Sequence, residues 1–430
     1  MNIAIIGSGG REHSICFKLK QSKKVKNLFC IPGNAGTSKI CHNLNIEINN
    51  FEAISEAVIK YKIDLVIVGP EEPLVRGIVD FFEKKGVKIF GPNKLASQLE
   101  GSKIFMKNLC EKFGIPTAKF KEILDIEEAS VALKNFTQPI VIKSDGLAAG
   151  KGVTICKNNS EALKNIKEIL DGKFKSSSKV IIEEFLEGEE ASYFIISDGE
   201  NYIPIGTAQD HKRIGEKDTG PNTGGMGAYS PTPLLTEESL DKIIHEIIEP
   251  TINELNKKNI DYRGVIYFGL MITKSGPKVI EYNCRFGDPE CQTIMPLLDQ
   301  SFVLLLEKCS MGNLTGEERI DTANKVSGCV IATSRGYPHE YKTGFPIKIG
   351  RIDLTDCQIF DSGTSFSKNG ELVTDGGRVL SIVCQEKNFD MVFKKAYKNL
   401  KEISFDGIYF RNDIGHQVRT DIAKEDLANG

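Results

Sequence analysis

Two lysines flank a glycine-rich stretch and are suited to binding an anion. The apolar run 139–142 predicts a buried strand that ends at Lys143, and a second strand is predicted over 153–156, just after Lys151. Three glycines between these strands let backbone N–H groups approach a ligand closely: Gly146, Gly150 and Gly152. We expect this strand–loop–strand flap to lie over a nucleoside triphosphate. A basic hairpin on the protein surface is an equally good interpretation of these residues alone.

The glycine-rich stretch lacks the spacing of a P-loop. That motif has four residues between its first glycine and Gly-Lys, and a Ser or Thr follows the lysine. Here three residues separate Gly146 from Gly150, and Gly152 follows Lys151. The stretch also leads into a predicted strand, whereas the P-loop motif leads into a helix. A different kind of nucleotide site is therefore predicted.

A second group of polar residues ends the hairpin predicted over 264–282. Glu281 and Asn283 stand two positions apart, so on a strand their side chains project from the same face. Two oxygen ligands on one face suit Mg²⁺, which takes few protein ligands and keeps phosphate and water. Arg285 has the same parity and is suited to holding a carboxylate or a phosphate. An exposed polar strand end is the alternative interpretation.

The segment 209–233 has little apolar periodicity and is predicted to be a long loop. It contains the charged run 210–213 and the glycine-rich run 220–227. A loop of this length in a compact enzyme is usually functional or disordered. Its glycines and alternating charges suit contact with a substrate, and a simple linker is the alternative.

Strands and helices alternate over about the first hundred residues, which predicts an open parallel sheet that binds ligands beyond the carboxyl ends of its strands. The run 7–13 follows the first strand and looks like a dinucleotide fingerprint. Glu12 replaces the third glycine of that fingerprint, however, and no acidic residue ends the second strand. NAD binding is therefore disfavoured, and a phosphate or sugar site at the helix N-terminus is expected.

The totals for the chain exclude several classes of protein. A length of 430 residues predicts two to four domains. The net charge of −3 and the isoelectric point near 6.2 give no nucleic-acid signature, and no run of eighteen apolar residues predicts a membrane span. The 11 cysteines include no C-x-x-C pair, so we expect free thiols in a reducing cytosol rather than disulfides or a zinc site.

Taken together, the motifs resemble the ATP-grasp superfamily and, more closely, the phosphoribosylamine–glycine ligase family, over essentially the whole chain. The most specific segments are 218–231 and 283–290. The other segments that carry the resemblance are 9–13, 32–37, 99–103, 143–153, 183–192, 209–213 and 376–380.

The resemblance implies a multidomain chain of the α/β and α+β classes. Its parts would be a Rossmann-like open parallel sheet over 1–101, an ATP-grasp fold over 102–325 with a small lid at about 120–190, and a small α+β domain over 326–430. It also implies that ATP phosphorylates glycine and that 5-phosphoribosylamine attacks the glycyl phosphate, the second step of purine synthesis. We expect a cytoplasmic monomer in transient contact with neighbouring enzymes of that pathway.

The resemblance assigns ATP to the lid. Lys103 and Lys143 would neutralise the phosphates under the loop 146–152, and closure would exclude water. Strand 183–186 would offer an unpaired backbone edge to adenine, and Glu190 would hold the ribose. The ATP contacts are therefore predicted at Lys103, Lys143, Gly146, Ala149, Gly150, Lys151, Gly152, Glu183, Phe185, Leu186 and Glu190.

Substrate contacts are predicted at Gly9, Gly10, Asn34, Asp210, Lys212, Asn222, Thr223, Gly224, Arg285 and Asp288. Catalysis would rest on Arg285, Lys143 and Asp210 through positioning and charge, without a covalent nucleophile. Glu281 and Asn283 would bind Mg²⁺ or Mn²⁺. ATP-grasp enzymes commonly have an additional metal-binding carboxylate on the strand that precedes the metal residues. Here that strand, 265–271, has no acidic residue, so Glu290 or water would replace that ligand.

Two rival functions fit the same motifs. One keeps the superfamily and changes the substrate, as in another carboxylate–amine ligase or a carboxylase. The other is a nucleotide-binding sensor with a closing flap. His13 and His211 are the only histidines near predicted ligand loops, and Cys284 is expected to pack rather than react.

Overall fold

The fold is that of a computed structural model, which describes residues 1–147, 152–173, 179–320 and 322–422. Its first part is a five-stranded parallel sheet of order β3-β2-β1-β4-β5, which confirms the predicted open sheet. The strands are β1 (Asn2–Gly7), β2 (Asn27–Pro32), β3 (His42–Asn43), β4 (Leu65–Val68) and β5 (Ile89–Phe90). The helices are α1 (Gly10–Lys20), α2 (Phe51–Lys60), α3 (Glu71–Arg76), α4 (Ile78–Glu83), α5 (Gln98–Gly101) and α6 (Lys103–Phe113).

The predicted lid is a four-stranded antiparallel sheet of order β6-β9-β7-β8. Its elements are β6 (Phe120–Ile123), α7 (Ile126–Ala132), β7 (Ile140–Ser144), β8 (Val153–Cys156), α8 (Asn159–Leu170) and β9 (Val180–Glu184). Ile142, Ile166 and Ile182 form part of a separate core between this sheet and its two helices. Of the predicted ATP contacts, Ala149, Gly150 and Lys151 lie outside the described residues.

An eight-stranded sheet of order β16-β15-β10-β11-β14-β17-β22-β19 joins the middle of the chain to its last part. The middle contributes β10 (Glu189–Ser197), β11 (Tyr202–Asp210), β12 (Arg213–Gly215), β13 (Thr219–Asn222), β14 (Gly227–Ser230), α9 (Glu237–Lys242), α10 (Glu249–Lys257), β15 (Gly264–Thr273), β16 (Gly276–Asn283), α11 (Glu290–Ile294) and α12 (Phe302–Ser310). The last part contributes β17 (Val326–Thr333), β18 (Lys348–Ile349), β19 (Cys357–Asp361), β20 (Thr364–Phe366), β21 (Leu372–Thr374), β22 (Arg378–Glu386), α13 (Phe389–Leu400) and β23 (Ile403–Ser404). The domain boundaries predicted near 101 and 325 stay predictions, and the sheet runs across the second of them.

The prediction of one long loop over 209–233 is wrong. Strand β14 lies fully buried between β11 and β17, and β12 and β13 form a hairpin that precedes it. A Cβ at Gly227 would lie 2.5 Å from the carbonyl oxygen of Cys329, so a glycine is needed where these strands approach. The residues of this buried strand are mostly small or polar. The apolar pattern that would predict a strand is therefore absent from the sequence.

Two helical segments are interrupted. The sequence over 74–85 predicts one helix, but the structure divides it into α3 and α4 at Gly77, whose φ of 92° is left-handed. The sequence over 236–257 also predicts one helix; it is continuous, but a π-helical turn at Ile243–Ile248 separates α9 from α10. Among the described residues, no helix is both long and apolar enough to cross a membrane.

Cys357 and Cys384 form a disulfide between β19 and β22, where strand register places them directly opposite each other. The prediction that the cysteines form no disulfide is wrong for this pair. The two residues are 27 positions apart, so only the sheet brings them together. The other nine cysteines are free.

Candidate active site

Lys143 lies on β7, where the lid faces the large sheet. Its Nζ is 2.9 Å from Glu183 Oε2 and donates to the carbonyl oxygen of Ile280 at 3.4 Å. Lys107 on α6 reaches the same carboxylate oxygen at 3.3 Å. The second oxygen, Oε1 of Glu183, is buried and has no partner among the described residues. A buried acceptor without a donor costs about 1–3 kcal/mol, so this oxygen is suited to a donor on a ligand.

The unpaired adenine edge predicted at 183–186 is wrong for Glu183. Strand β9 lies between β6 and β7, so the backbone of Glu183 faces Phe120 on one side and Val141 on the other. Phe185 and Leu186 follow the end of the strand, and the Phe185 side chain is exposed. The unpaired backbone that could contact adenine therefore lies in the segment after β9. Glu183 has only its side chain left for a ligand.

Lys103 begins α6 and ties that helix to the start of the flap loop. Its Nζ donates to the carbonyl oxygen of Gly146 at 2.9 Å, and the hydroxyl of Ser102 lies 3.1 Å from Asp145 Oδ1. Burial lowers the pKa of Lys103 more than the Glu281 carboxylate raises it, so the net shift is downward. The structure thus gathers Lys103, Lys143 and Gly146 beside Glu281.

Lys212 joins the predicted nucleotide residues to the predicted metal residues. Its Nζ lies 2.5 Å from Glu190 Oε2 and 3.8 Å from Glu281 Oε1. Burial lowers the pKa of Lys212, but the two carboxylates raise it more, and the net shift is upward. Burial raises the pKa of Glu281, but Lys212, Lys143 and Lys103 bring it below its ordinary value. Three ammonium groups therefore surround one carboxylate.

Glu281 and Asn283 fit a hard divalent cation. Both side chains are half-buried on β16; within the described part of the chain Glu281 Oε1 has Lys212 Nζ as its partner at 3.8 Å, and the Asn283 side chain makes no hydrogen bond. Gly269 on β15 faces Glu281, and a Cβ there would lie 2.9 Å from Glu281 Cγ. The Glu281 side chain therefore fills the space over Gly269, and β15 adds no carboxylate to the pair. Two oxygen donors on one face of β16 suit Mg²⁺, which fills its remaining positions with phosphate and water.

Asp210 and Glu290 place carboxyl groups close together. Asp210 Oδ1 is buried without a partner among the described residues, and Glu290 Oε1 accepts from Ser192 Oγ at 3.2 Å. Burial, followed by the charge of Glu290, raises the pKa of Asp210 well above its ordinary value. Burial likewise raises the pKa of Glu290. Such a pair favours a ligand that carries an ammonium group.

Arg285 is held by two carboxylates of the first part of the chain. Its Nε lies 3.1 Å from Glu71 Oε2, and its Nη2 lies 2.8 Å from Glu100 Oε1. Arg285 lowers the pKa of Glu71 to about 2, whereas burial raises the pKa of Glu100 to about 7. Nη1 donates to Phe286, so two of the five guanidinium N–H groups stay available for an anion.

Arg378 on β22 is not among the predicted contacts, although it lies in the segment 376–380 that carries the resemblance. Its Nη2 lies 2.9 Å from Asp288 Oδ2, and it donates to the carbonyl oxygens of Asp288 and Gly224. Thr223 is held to Lys212 by two hydrogen bonds, and Gly224 N donates to the hydroxyl of another unpredicted residue, Tyr337. Three predicted substrate contacts, Thr223, Gly224 and Asp288, are therefore brought together. Asn222, the predicted contact next to them in the chain, is exposed at the end of β13.

The first-part loops are closely packed. Gly9 N donates to Glu12 Oε2 at 2.7 Å, and a Cβ at Gly10 would lie 2.6 Å from Gln292 Nε2. Asn34 donates both amide hydrogens, to the carbonyl oxygens of Ser8 and Asp361. The side chain of Asn34 thus has no donor left for a phosphate, and its Oδ1 already accepts from the backbone N–H of Thr37 at 2.9 Å, which leaves one lone pair for a sugar hydroxyl.

The two suspected histidines have structural partners. His13 Nδ1 accepts from the backbone N–H of Asp361 at 2.9 Å, and His211 Nε2 accepts from that of Gly415 at 3.1 Å. Burial lowers the pKa of each imidazole to about 4. Cys284 is buried, and burial raises the pKa of its thiol. None of the three has the placement of a reactive group.

Three family models cover most of the chain. They are described as the N domain, the ATP-grasp (A) domain and the C domain of phosphoribosylglycinamide synthetase, and they match residues 1–100, 101–291 and 327–417. The chain belongs to the phosphoribosylglycinamide synthetase family. A relative from Caldanaerobacter subterraneus, named phosphoribosylamine–glycine ligase, is 46% identical over 420 residues, covering 96% of this chain and 99% of the relative.

Solved structures agree with this family. The crystal structure of phosphoribosylamine–glycine ligase from Thermotoga maritima superposes with a TM-score of 0.84 at 32% identity, covering 96% of this chain and 100% of that one. A biotin carboxylase from Campylobacter jejuni has a TM-score of 0.72 at 17% identity, covering 100% and 98% of the two chains. That second similarity shows a shared fold alone. ATP-grasp ligases of this family use ATP with a divalent metal ion.

Proposed function

We propose that the protein ligates glycine to 5-phosphoribosylamine with ATP, forming glycinamide ribonucleotide, ADP and phosphate. The observation that carries the proposal is the position of Lys212, 2.5 Å from Glu190 and 3.8 Å from Glu281. This lysine sits between the residues proposed for the nucleotide and the metal, two positions from Asp210. The full-length match to phosphoribosylamine–glycine ligases supports the same substrates.

The proposed reaction has two steps. A carboxylate oxygen of glycine attacks the γ-phosphorus of ATP, the bond to the β,γ-bridging oxygen breaks, and ADP leaves. The amine nitrogen of phosphoribosylamine then attacks the carbonyl carbon of glycyl phosphate and loses a proton, and phosphate leaves with the electron pair of the C–O bond. No protein nucleophile is needed, so the protein contributes position and charge.

The residues divide between the two steps. Lys103 and Lys143 attract the ATP phosphates, and the lid over them excludes water that would hydrolyse the acyl phosphate. Asp210 holds the ammonium group of glycine, and Arg285 orients an anionic group. Glu281 and Asn283 would hold Mg²⁺ or Mn²⁺, which supplies charge stabilisation and a template for phosphoryl transfer.

The remaining substrate contacts lie in the first part of the chain. The loops at Gly9 and Gly10 follow β1 at the carboxyl edge of the parallel sheet, the usual ligand edge of such folds. We assign the phosphate and sugar of phosphoribosylamine to this edge. We also propose a cytoplasmic monomer that receives the labile aminosugar through transient contact with the enzyme that makes it. Light scattering of the purified chain tests the monomer.

One assay separates this function from its rivals. The full chain is incubated with ATP, Mg²⁺, glycine and freshly made phosphoribosylamine, and ADP and glycinamide ribonucleotide are measured. ADP formation that requires both glycine and the aminosugar supports the proposal. ADP formation with bicarbonate in place of glycine would indicate a carboxylase, and ATP binding without turnover would indicate a sensor.

A further inference from the structure

Three cysteine thiols converge in the first part of the chain, away from the nucleotide residues. Cys16 lies on α1, Cys30 lies on β2, and Cys41 immediately precedes β3. Their Sγ atoms all lie within 4.8 Å of one another, and those of Cys16 and Cys41 are 3.9 Å apart. In the part of the chain that the structure describes, this is the only group of three such side chains able to share a metal ion.

The separations suit thiolate coordination. Zn–S bonds are about 2.3 Å long, so sulfurs around one zinc ion stand about 3.8 Å apart. The Cys16–Cys41 distance of 3.9 Å already has this value. The other two Sγ–Sγ distances are at most 4.8 Å. The sulfur atoms therefore need to move by at most about 1 Å to bind one zinc ion, and side-chain rotation can supply this movement.

Oxygen atoms line the cluster, unlike an ordinary apolar core. Cys41 Sγ donates to the carbonyl oxygen of Thr37 at 3.1 Å, and Cys30 Sγ donates to that of Gly7 at 3.4 Å. Asn43 Oδ1 lies 4.0 Å from Cys41 Sγ and provides a possible fourth ligand. Cys41 as a residue is half-buried, whereas Cys16 and Cys30 are buried, and the three thiols themselves are enclosed.

We propose that Cys16, Cys30 and Cys41 bind one thiophilic metal ion, Zn²⁺ in the cell, with Asn43 or water as the fourth ligand. Thiolates select ions of this soft class over Mg²⁺. Binding releases the thiol protons of Cys16, Cys30 and Cys41 to solvent and forms three metal–sulfur bonds without a change of oxidation state. The bound ion joins α1, β2 and the segment before β3.

Cadmium provides a direct test because its thiolate complexes absorb in the ultraviolet, whereas its carboxylate complexes do not. The full chain, purified under argon without added reductant so that the Cys357–Cys384 disulfide stays closed, is titrated with Cd²⁺ while the charge-transfer band and the thermal midpoint are followed. We expect saturation at one ion per chain and a higher midpoint. Zn²⁺ should then compete for the same site, and Mg²⁺ should not.

Cys41→Ser tests the assignment, and Cys309→Ser is the matched control. Cys309 is buried away from the cluster and donates to the carbonyl oxygen of Ser197 at 3.1 Å, a bond that serine can keep. Cys41→Ser should weaken Cd²⁺ binding at least about tenfold, whereas Cys309→Ser should bind like the wild type. A wild type without the band, or equal titrations of both variants, would overturn the proposal.

Two further measurements make the result independent of folding defects. Circular dichroism of both metal-free variants should match the wild type, and native mass spectrometry of the wild type with Zn²⁺ should show one bound ion. An unaltered apo mass after zinc addition would exclude the site whatever the variants do.

Discussion

Lys143 and Glu183 form a buried ion pair, with Nζ 2.9 Å from Oε2, that links adjacent strands of the lid. Lys107, which belongs to α6 and not to the lid, approaches the same oxygen at 3.3 Å. One carboxylate oxygen therefore serves two ammonium groups, while the other oxygen has no partner among the described residues. This arrangement fixes the lid to α6 and keeps Lys143 in place before the nucleotide binds.

Replacing Lys143 with alanine should lower kcat/KM by about 10²–10³-fold, because one preorganised charge is removed from the proposed phosphate site. Steady-state kinetics with varied ATP measure the loss.

The unfolding free energy should fall by less than the roughly 3–5 kcal/mol typical of a broken buried pair, because Lys107 still neutralises Glu183. Lys121→Ala on β6 removes an exposed lysine 3.2 Å from Glu128 and should behave like the wild type. A change confined to the KM for glycine would refute the assignment of Lys143.

Replacing Glu281 with glutamine should remove most of kcat and leave the fold intact. The change keeps the shape of the side chain and removes the charge proposed for the metal, and Lys212 keeps Glu190 as a partner. Turnover is measured over a Mg²⁺ titration. Glu307→Gln, which loses only the 3.2 Å pair with Lys88, is the control. Near-normal turnover of Glu281→Gln at saturating Mg²⁺ would show that Glu281 holds no essential metal.

The sequence predicts well the features that depend on local patterns. The parallel sheet and the hairpin of β15 and β16 follow from strand runs and turns, and the hairpin places Glu281 and Asn283 on one face as parity requires. These elements are contiguous in the chain, so local information suffices for them.

Features that depend on sheet order could not be predicted in the same way. Strand β9 has neighbours on both sides, and β14 is buried, because distant strands pair with them. Arg378 reaches Asp288 from 90 positions away, and Glu71 reaches Arg285 from 214 positions away. Glu100 is a second distant partner of Arg285. Such partners follow from tertiary packing, which neither residue type nor spacing encodes. Lys107, one turn after Lys103 on α6, is the contact that helical spacing could have suggested.

Acid should destabilise the protein through His13. Burial lowers the pKa of His13 to about 4, against an ordinary value of 6.5, so between these values the unfolded chain binds a proton that the folded chain does not. The unfolding free energy should therefore be steady above pH 6.5 and fall as the pH drops toward 4, by about 3 kcal/mol for this group. Denaturant unfolding across that range measures the slope.

His13→Asn provides the comparison, because its amide oxygen can replace Nδ1 as acceptor for the Asp361 N–H and does not titrate. The loss of stability between pH 6.5 and 4 should be smaller in this variant than in the wild type. His339→Asn is the control, since His339 is exposed and its side chain makes no ion pair or hydrogen bond with the described residues. An unchanged slope in His13→Asn would show that other groups cause the acid sensitivity.

Replacing Asp210 with asparagine should raise the KM for glycine by about 10–100-fold, the loss expected for one charge-assisted hydrogen bond. Oδ1 of Asp210 is buried without a partner among the described residues, and the nearby Glu290 raises its pKa, so an ammonium group would relieve both costs. Initial rates with glycine varied at saturating ATP measure the effect.

Asp198→Asn is the matched control, because Asp198 is also buried but accepts from the backbone of Leu314 and Asn201, away from the site. That control should lower the thermal midpoint and leave the KM for glycine unchanged. An increase confined to the KM for ATP would instead place Asp210 on the nucleotide side of Lys212.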